Sequence, residues 1–303
     1  MPTGLLLPSR EVLLWADSDF ASLVGMARKA EEAGFDSVWV GDSLLARPRG
    51  EPLSLLSAIA GATTRVQLGT AVLLPLLRHP LTLAHQAATL DRLSRGRLIL
   101  GIGPAADLPG THTELGALGV RSDRRVSDLM DEVATCRRLW RGEDPVIDLQ
   151  PKPFQREGPP FWLGAGGPRM LRLTGERFEG WLPLIPTPEA YAAAYKVVRQ
   201  AAEKADRDPD DIATGVYLTV AAADGQAEAD KQLDDYIRAY YGIPAAVFAQ
   251  GAALHAGTLE SAREWFAAYR HAGAQHLVVR LASPGLQDYD EAVRCLLEAA
   301  RQS

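Results

Sequence analysis

The chain has 303 residues, 47% hydrophobic and 23% charged, with a formal net charge of -6. That is enough apolar sequence for a substantial core, which excludes a disordered chain, and the acidic balance argues against general binding to nucleic acid. No apolar run approaches the roughly 18 residues of a membrane span, and Ser9, Arg10 and Glu11 come too early for a signal peptide, so a cytoplasmic protein with no membrane attachment is expected.

In chain order, short apolar runs alternate with helical patterns. Gly4 to Pro8 reads as a strand before a helix over Phe20 to Ala33, where Phe20, Leu23, Val24, Ala27 and Ala30 share one face and Gly34 suits a left-handed cap. Asp36 to Asp42 precedes a helix from Pro52 to Thr63, and Arg65 to Leu74 precedes one from Pro80 to Leu93 that stops at Gly96. Strands follow at Gly96 to Gly103, Pro160 to Gly166, Gly180 to Ile185, Ala213 to Ala223 and Gln275 to Ala282. Continuously apolar strands separated by helices imply parallel pairing. About eight of them predict a single α/β domain over residues 1–303, a (β/α)8 TIM barrel, with a doubly wound sheet as the alternative. Two stretches exceed a minimal barrel, about 105–159 after the fourth strand and 224–257 after the seventh, at the strand ends where barrels build active sites.

Several chemistries are absent. There is no G-x-x-x-x-G-K-[ST] loop, no G-x-S-x-G, no H-E-x-x-H and no C-x-x-C, and the six histidines lack ligand spacing, so no metal site is expected. Cys136 and Cys295 fall in helical patterns and read as small hydrophobes rather than a disulfide. What stands out is "LGAGGPR". After the fifth strand Gly164, Ala165, Gly166 and Gly167 leave bare backbone, and a helix beginning at Pro168 aims its positive end at the same place, with Arg169 in its first turn. This predicts a phosphate cradle, the alternative being a tight turn with no ligand. Arg47, Arg49, Arg78 and Arg169 also follow strand ends and would concentrate positive charge at one barrel face, unless each is simply solvated.

Four blocks, Gly34 to Leu44, Val66 to Pro75, Arg78 to Ala105 and Leu163 to Leu182, resemble the bacterial-luciferase-like superfamily of flavin and deazaflavin enzymes. Within it they are most similar to the F420-dependent branch that includes methylenetetrahydromethanopterin reductase and F420-dependent dehydrogenases. The resemblance implies an F420-dependent oxidoreductase passing a hydride between the deazaflavin and a small organic substrate, in a homodimer. FMN with a monooxygenase activity is the alternative, and a non-catalytic flavin- or F420-binding protein the third reading. It further implies a non-proline cis peptide between Ala71 and Val72, bulging from the third strand to back the ring. Gly69, Thr70, Gly101 and Gly103 would border the ring, with Gly164 to Gly167 and Arg169 at its phosphate. Asp42 matches the family's site aspartate, but Ser43 stands where a histidine often follows, leaving Asp42 and His79 as the candidates to orient substrate or relay a proton. No acid follows Gly103 as it does in the sugar-phosphate dehydrogenases, which disfavours glucose 6-phosphate as the substrate. Trp15, Trp39, Leu73, Leu76 and Trp181 are candidate pocket walls.

Overall fold

A computed structural model describes residues 2–15, 19–164, 166–283, 285 and 289–303. Among the described residues nine parallel strands are formed: β1 (Thr3–Leu6), β2 (Ser37–Val40), β3 (Gln67–Thr70), β4 (Leu98–Ile102), β5 (Phe161–Leu163), β6 (Gly180–Trp181), β7 (Ala213–Ala222), β8 (Ala253–Gly257) and β9 (His276–Leu281). Eight of them close a ring in the order β1-β2-β3-β4-β5-β6-β7-β9, with β9 pairing back onto β1, so the fold is the expected (β/α)8 barrel. The ninth, β8, lies within the second insertion and pairs with Leu218 to Ala222, the upper half of β7, on the edge that β6 leaves after Thr214.

The helices are α1 (Phe20–Ala33), α2 (Pro52–Ala62), α3 (Pro80–Ser94), α4 (Pro109–Ala117), α5 (Arg125–Arg141), α6 (Pro168–Arg177), α7 (Pro188–Lys204), α8 (Gln226–Tyr241), α9 (Ala245–Phe248), α10 (Leu259–His271) and α11 (Tyr289–Arg301). Local chemistry sets their ends. Asp19 accepts the Ser22 amide at the start of α1, and Gly34 at φ 102° closes that helix in the left-handed region. α3 starts at Pro80, with His79 Nδ1 accepting the Leu81 amide, and ends through Arg95 and Gly96, both at positive φ. The first insertion supplies α4 and α5, and the second supplies α8, α9 and β8. Among the described residues no helix is long and apolar enough to cross a membrane.

Period-two alternation sorts each strand into two faces. On β9, Leu277, Val279 and Leu281 join the core between strands and helices, while Val278 joins a separate cluster inside the barrel with Leu6, Trp39, Ile99, Trp162, Leu182 and Tyr217. The inward series on β9, His276, Val278 and Arg280, therefore runs from the floor of the barrel to its mouth.

Candidate functional site

At the mouth, Ala71, Val72, Gly164, Gly166, Leu182, Leu184 and Tyr217 line a slot of about 160 Å³. β3 makes it. Ala71 N still donates to Val40 O, but the chain leaves the ladder over Ala71 and Val72 and rejoins β4 at Leu73, whose amide donates to Gly101 O at 2.7 Å. The peptide between Ala71 and Val72 is cis, at the position the family resemblance names.

The glycines divide by what a side chain would meet. At Gly69 a Cβ would collide with the Trp39 indole, and at Gly101 with the Thr70 carbonyl, so these two make room for the barrel's own interior. Thr70 is buried there too, its hydroxyl donating to Gly101 O. At Gly103 and Gly164 a Cβ would stand 3.0 and 2.8 Å from the Val72 methyls, so their bareness keeps Val72 in the slot wall. Gly166 and Gly167 are exposed, and a Cβ at Gly167 would meet nothing within 4 Å. Gly167 caps α6 without a side-chain bond, and Arg169 is exposed in the first turn, so the amides at that helix end stay open to an anion. Ala165 lies outside the described residues.

Asp42 and His79 stand apart from the slot. The Asp42 carboxylate accepts the Leu74 amide at 3.0 Å and Arg78 Nη1 at 2.6 Å, and Arg78 Nη2 reaches Glu51 at 2.7 Å. Burial works against the Arg78 charge, yet the two carboxylates outweigh it and hold its pKa above the ordinary value. His79 caps α3 and faces a different cavity, between the end of the β3 loop and α5. Ser43, in place of the histidine, donates to buried Glu114 of α4, which also accepts the amides of Leu44 and Leu45.

Of the other candidate walls, Trp39 lies deeper in the barrel against Trp162 and Leu73 in the outer core, and Trp181 packs outward on Tyr191. Trp15 lines a further cavity, and Leu76 lines the one that His79 faces. The side chains that crowd the mouth went unnoticed in the sequence. Arg280 is 2% exposed, its Nε on Thr219, its Nη1 on the Tyr241 hydroxyl and its Nη2 without a partner. Its guanidinium lies over the rings of Tyr217, Tyr236, Tyr240 and Tyr241, 4.7 to 5.3 Å from their centroids, and Tyr236 donates to buried Glu11. Burial raises the Tyr217 hydroxyl well above its ordinary pKa despite Arg280, so it stays protonated and can donate. The signals were there: one arginine inside the apolar "HLVVRLA", and "YIRAYY" with three tyrosines in one helix end. No group of three or more His, Cys, Asp or Glu among the described residues is placed to hold a metal ion.

The mouth of this eight-stranded barrel thus brings together an apolar slot, bare backbone and an open helix end. The sequence profile of the luciferase-like monooxygenases matches residues 1–282, and the chain belongs to that family. It is 30% identical over 260 residues to the phthiodiolone/phenolphthiodiolone dimycocerosates ketoreductase of Mycobacterium tuberculosis, covering 73% of this chain and 67% of that one. Monooxygenase RslO1 from Streptomyces bottropensis superposes with a TM-score of 0.81 at 25% identity, over 100% of this chain and 98% of the other. The coenzyme F420-dependent tetrahydromethanopterin reductase from Methanopyrus kandleri shares the fold, with a TM-score of 0.76 at 20% identity over 97% and 96%. Family and neighbours are oxidoreductases or monooxygenases.

Proposed function

We propose that the protein is an F420-dependent oxidoreductase that passes a hydride between the deazaflavin and a small organic substrate. The observation that carries this reading is the slot at the Ala71–Val72 bulge. Its walls are apolar, its glycines keep Val72 in place, and among the described residues Tyr217 is the only polar side chain that lines it. The residues present fit a ring with an anionic tail: the ring against Val72, Leu182 and Leu184, the phosphate at Gly166, Gly167 and the first turn of α6, with Arg169 beside it. A slot of 160 Å³ is smaller than the roughly 300–1,000 Å³ usual for ligand pockets, so in this reading the ring extends over the rim.

A bound deazaflavin supplies the hydride chemistry itself; the protein supplies apolar walls, orientation and a proton. Asp42 is held by Arg78 and His79 by α3, so in this proposal both position the rim, and the Tyr217 hydroxyl is the donor nearest the ring. FMN with a monooxygenase activity is the second reading, favoured by the full-length similarity to RslO1. Titration with F420 and with FMN, read by fluorescence quenching and followed by hydride transfer to carbonyl substrates, tests the choice. Micromolar F420 binding with transfer is expected; failure of F420 to bind while FMN does, with oxygen consumed, overturns it.

A further inference from the structure

We infer that Arg10, Arg47 and Arg49 form a second anion site at the mouth, on the β1–β2 side, that takes a phosphoryl or carboxylate group of a ligand. A cavity of about 410 Å³ opens there between the loops after β1 and β2, the start of α4 and the end of α8. Arg10 and Arg47 line it, and Arg49 stands behind them, its Nε donating to Arg47 O at 3.2 Å. The guanidiniums are stacked: Arg47 lies 4.8 Å from the Tyr241 centroid, Arg10 5.1 Å and Arg49 5.7 Å from that of Tyr240. A guanidinium held over a ring face keeps planar N–H groups that can serve a bidentate acceptor.

Among the described residues none of the three makes a salt bridge. Arg10 Nη1 reaches only Pro48 O, at 3.4 Å, and its buried Nε has no partner. Among the described residues the nearby carboxylates are already engaged. Glu11 accepts the Tyr236 hydroxyl and the Arg10 amide, Glu114 serves the loop at Ser43 to Leu45, and Asp234 holds Arg238. Burial first, then the like charges of Arg49 and Arg47, lower the Arg10 pKa against the pull of Tyr240 and Glu11, whereas Tyr240, Tyr241, Tyr217 and Glu11 raise that of Arg49 against its burial. Three crowded cations, none of them ion-paired among the described residues, make a place where an anion binds. The α4 terminus agrees with this, since Leu108 provides no side-chain cap and Gly110 and Thr111 border the cavity.

Tyr217, Arg280 and Tyr241 connect this cavity to the ring slot as a run of stacked side chains. Under the function proposed above, on which this assignment of sources rests, the α6 terminus takes the cofactor's phosphate. The arginine site then takes either the cofactor's glutamyl tail or an acidic group on the substrate.

Calorimetric titration of the whole chain with inorganic pyrophosphate at low ionic strength tests the site. Two binding events are expected in the wild type and one in both R47Q and R10Q, with at least a tenfold loss at the arginine site. If the α6 site binds nothing, the counts become one and zero, so failure of the cofactor reading is told apart from failure of this one. Stoichiometry and affinity unchanged in both variants overturn the proposal. R47K, which keeps charge and bulk but loses the planar fork, is expected to bind two- to fivefold more weakly, and it decides the matter should the glutamine variants melt early. F420 and a deazaflavin riboside without phosphate or glutamates separate the sources. Weaker F420 binding in R47Q, with the riboside unmoved, assigns the site to the tail. Unmoved F420 binding, with a raised KM for an acidic substrate, assigns it to the substrate.

Discussion

The floor and the mouth of the barrel solve the same packing problem in opposite ways. At the floor, bare positions such as Gly4, Gly69 and Gly180 let the Trp39 and Trp162 indoles fill the interior, and the polar atoms there are paired: Trp39 Nε1 donates to Ser37 Oγ, which meets His276 Nε2 at 2.8 Å. At the mouth, space is left open; of the five buried side-chain atoms without a partner among the described residues, Arg10 Nε and Arg280 Nη2 lie there, while Glu132 Oε2 and Arg125 Nε lie on α5 at the outer rim and Arg270 Nε beside the end of α11. Closed, satisfied packing contributes stability, whereas open, unsatisfied packing leaves affinity for something else. A change at the floor is therefore expected to alter folding and spare ligand binding, and a change at the mouth to do the reverse.

The largest effect is expected from Gly69→Ala. A methyl there has nowhere to go, because the Trp39 ring it would strike is itself wedged against Trp162. A loss of about 3 kcal/mol or more, at the top of the range for overpacked cores, is expected in urea unfolding, with the m-value unchanged. Tolerance of the methyl would show that the floor is loose and the contrast false.

His276 comes next. Burial pushes its imidazole down to about 4, with Asp36 opposing only weakly. Between about pH 6.5 and 4 the unfolded chain binds a proton that the folded barrel refuses, so stability falls as pH drops through that window. The difference corresponds to about 3 kcal/mol. His276→Gln is expected to flatten this limb of the stability curve without moving F420 affinity.

At the mouth, Gly164→Ala is expected to cost about 1 to 3 kcal/mol, since its Cβ would stand 2.8 Å from a Val72 methyl and 3.2 and 3.3 Å from the Ile102 and Leu182 carbonyl oxygens. The displaced Val72 would narrow the slot, and ring binding is expected to weaken tenfold or more by fluorescence titration. Equal binding by variant and wild type would remove the slot from the site.

Local punctuation was more legible in the sequence than the assembled mouth. Helix starts and stops follow from local rules, because Gly34, Pro80 and Pro168 act within a few residues of themselves. The mouth is assembled from residues far apart, Glu11 after β1, Arg280 on β9 and Tyr236 to Tyr241 on α8, and no local pattern announces that they meet. Gly69 shows the same limit in reverse. A glycine near a candidate site invites a ligand, yet the interior indole that needs the space comes from the neighbouring strand. β8 went unread because it pairs only with the upper half of β7, inside a stretch that otherwise reads as an insertion.

Glu132 of α5 gives the smallest effect and the sharpest check on whether the outer rim shares the mouth's character. Burial, then the charge of Asp128, raises its carboxyl to about 7, and Arg78 only partly offsets them; Oε2 has no hydrogen bond. For an acid whose folded pKa lies above its unfolded value, the folded chain keeps a proton that the unfolded chain releases, so stability declines as pH rises from about 4.5 to 7 and stays lower above it. Glu132→Gln keeps the shape and removes the charge. Its melting temperature is expected to match the wild type near pH 4.5 and to exceed it by about 2 °C at pH 8, by differential scanning calorimetry. Melting curves that run parallel from pH 4.5 to 8 would mean that this carboxylate is solvated or paired in solution, and the rim would then belong with the satisfied part of the barrel.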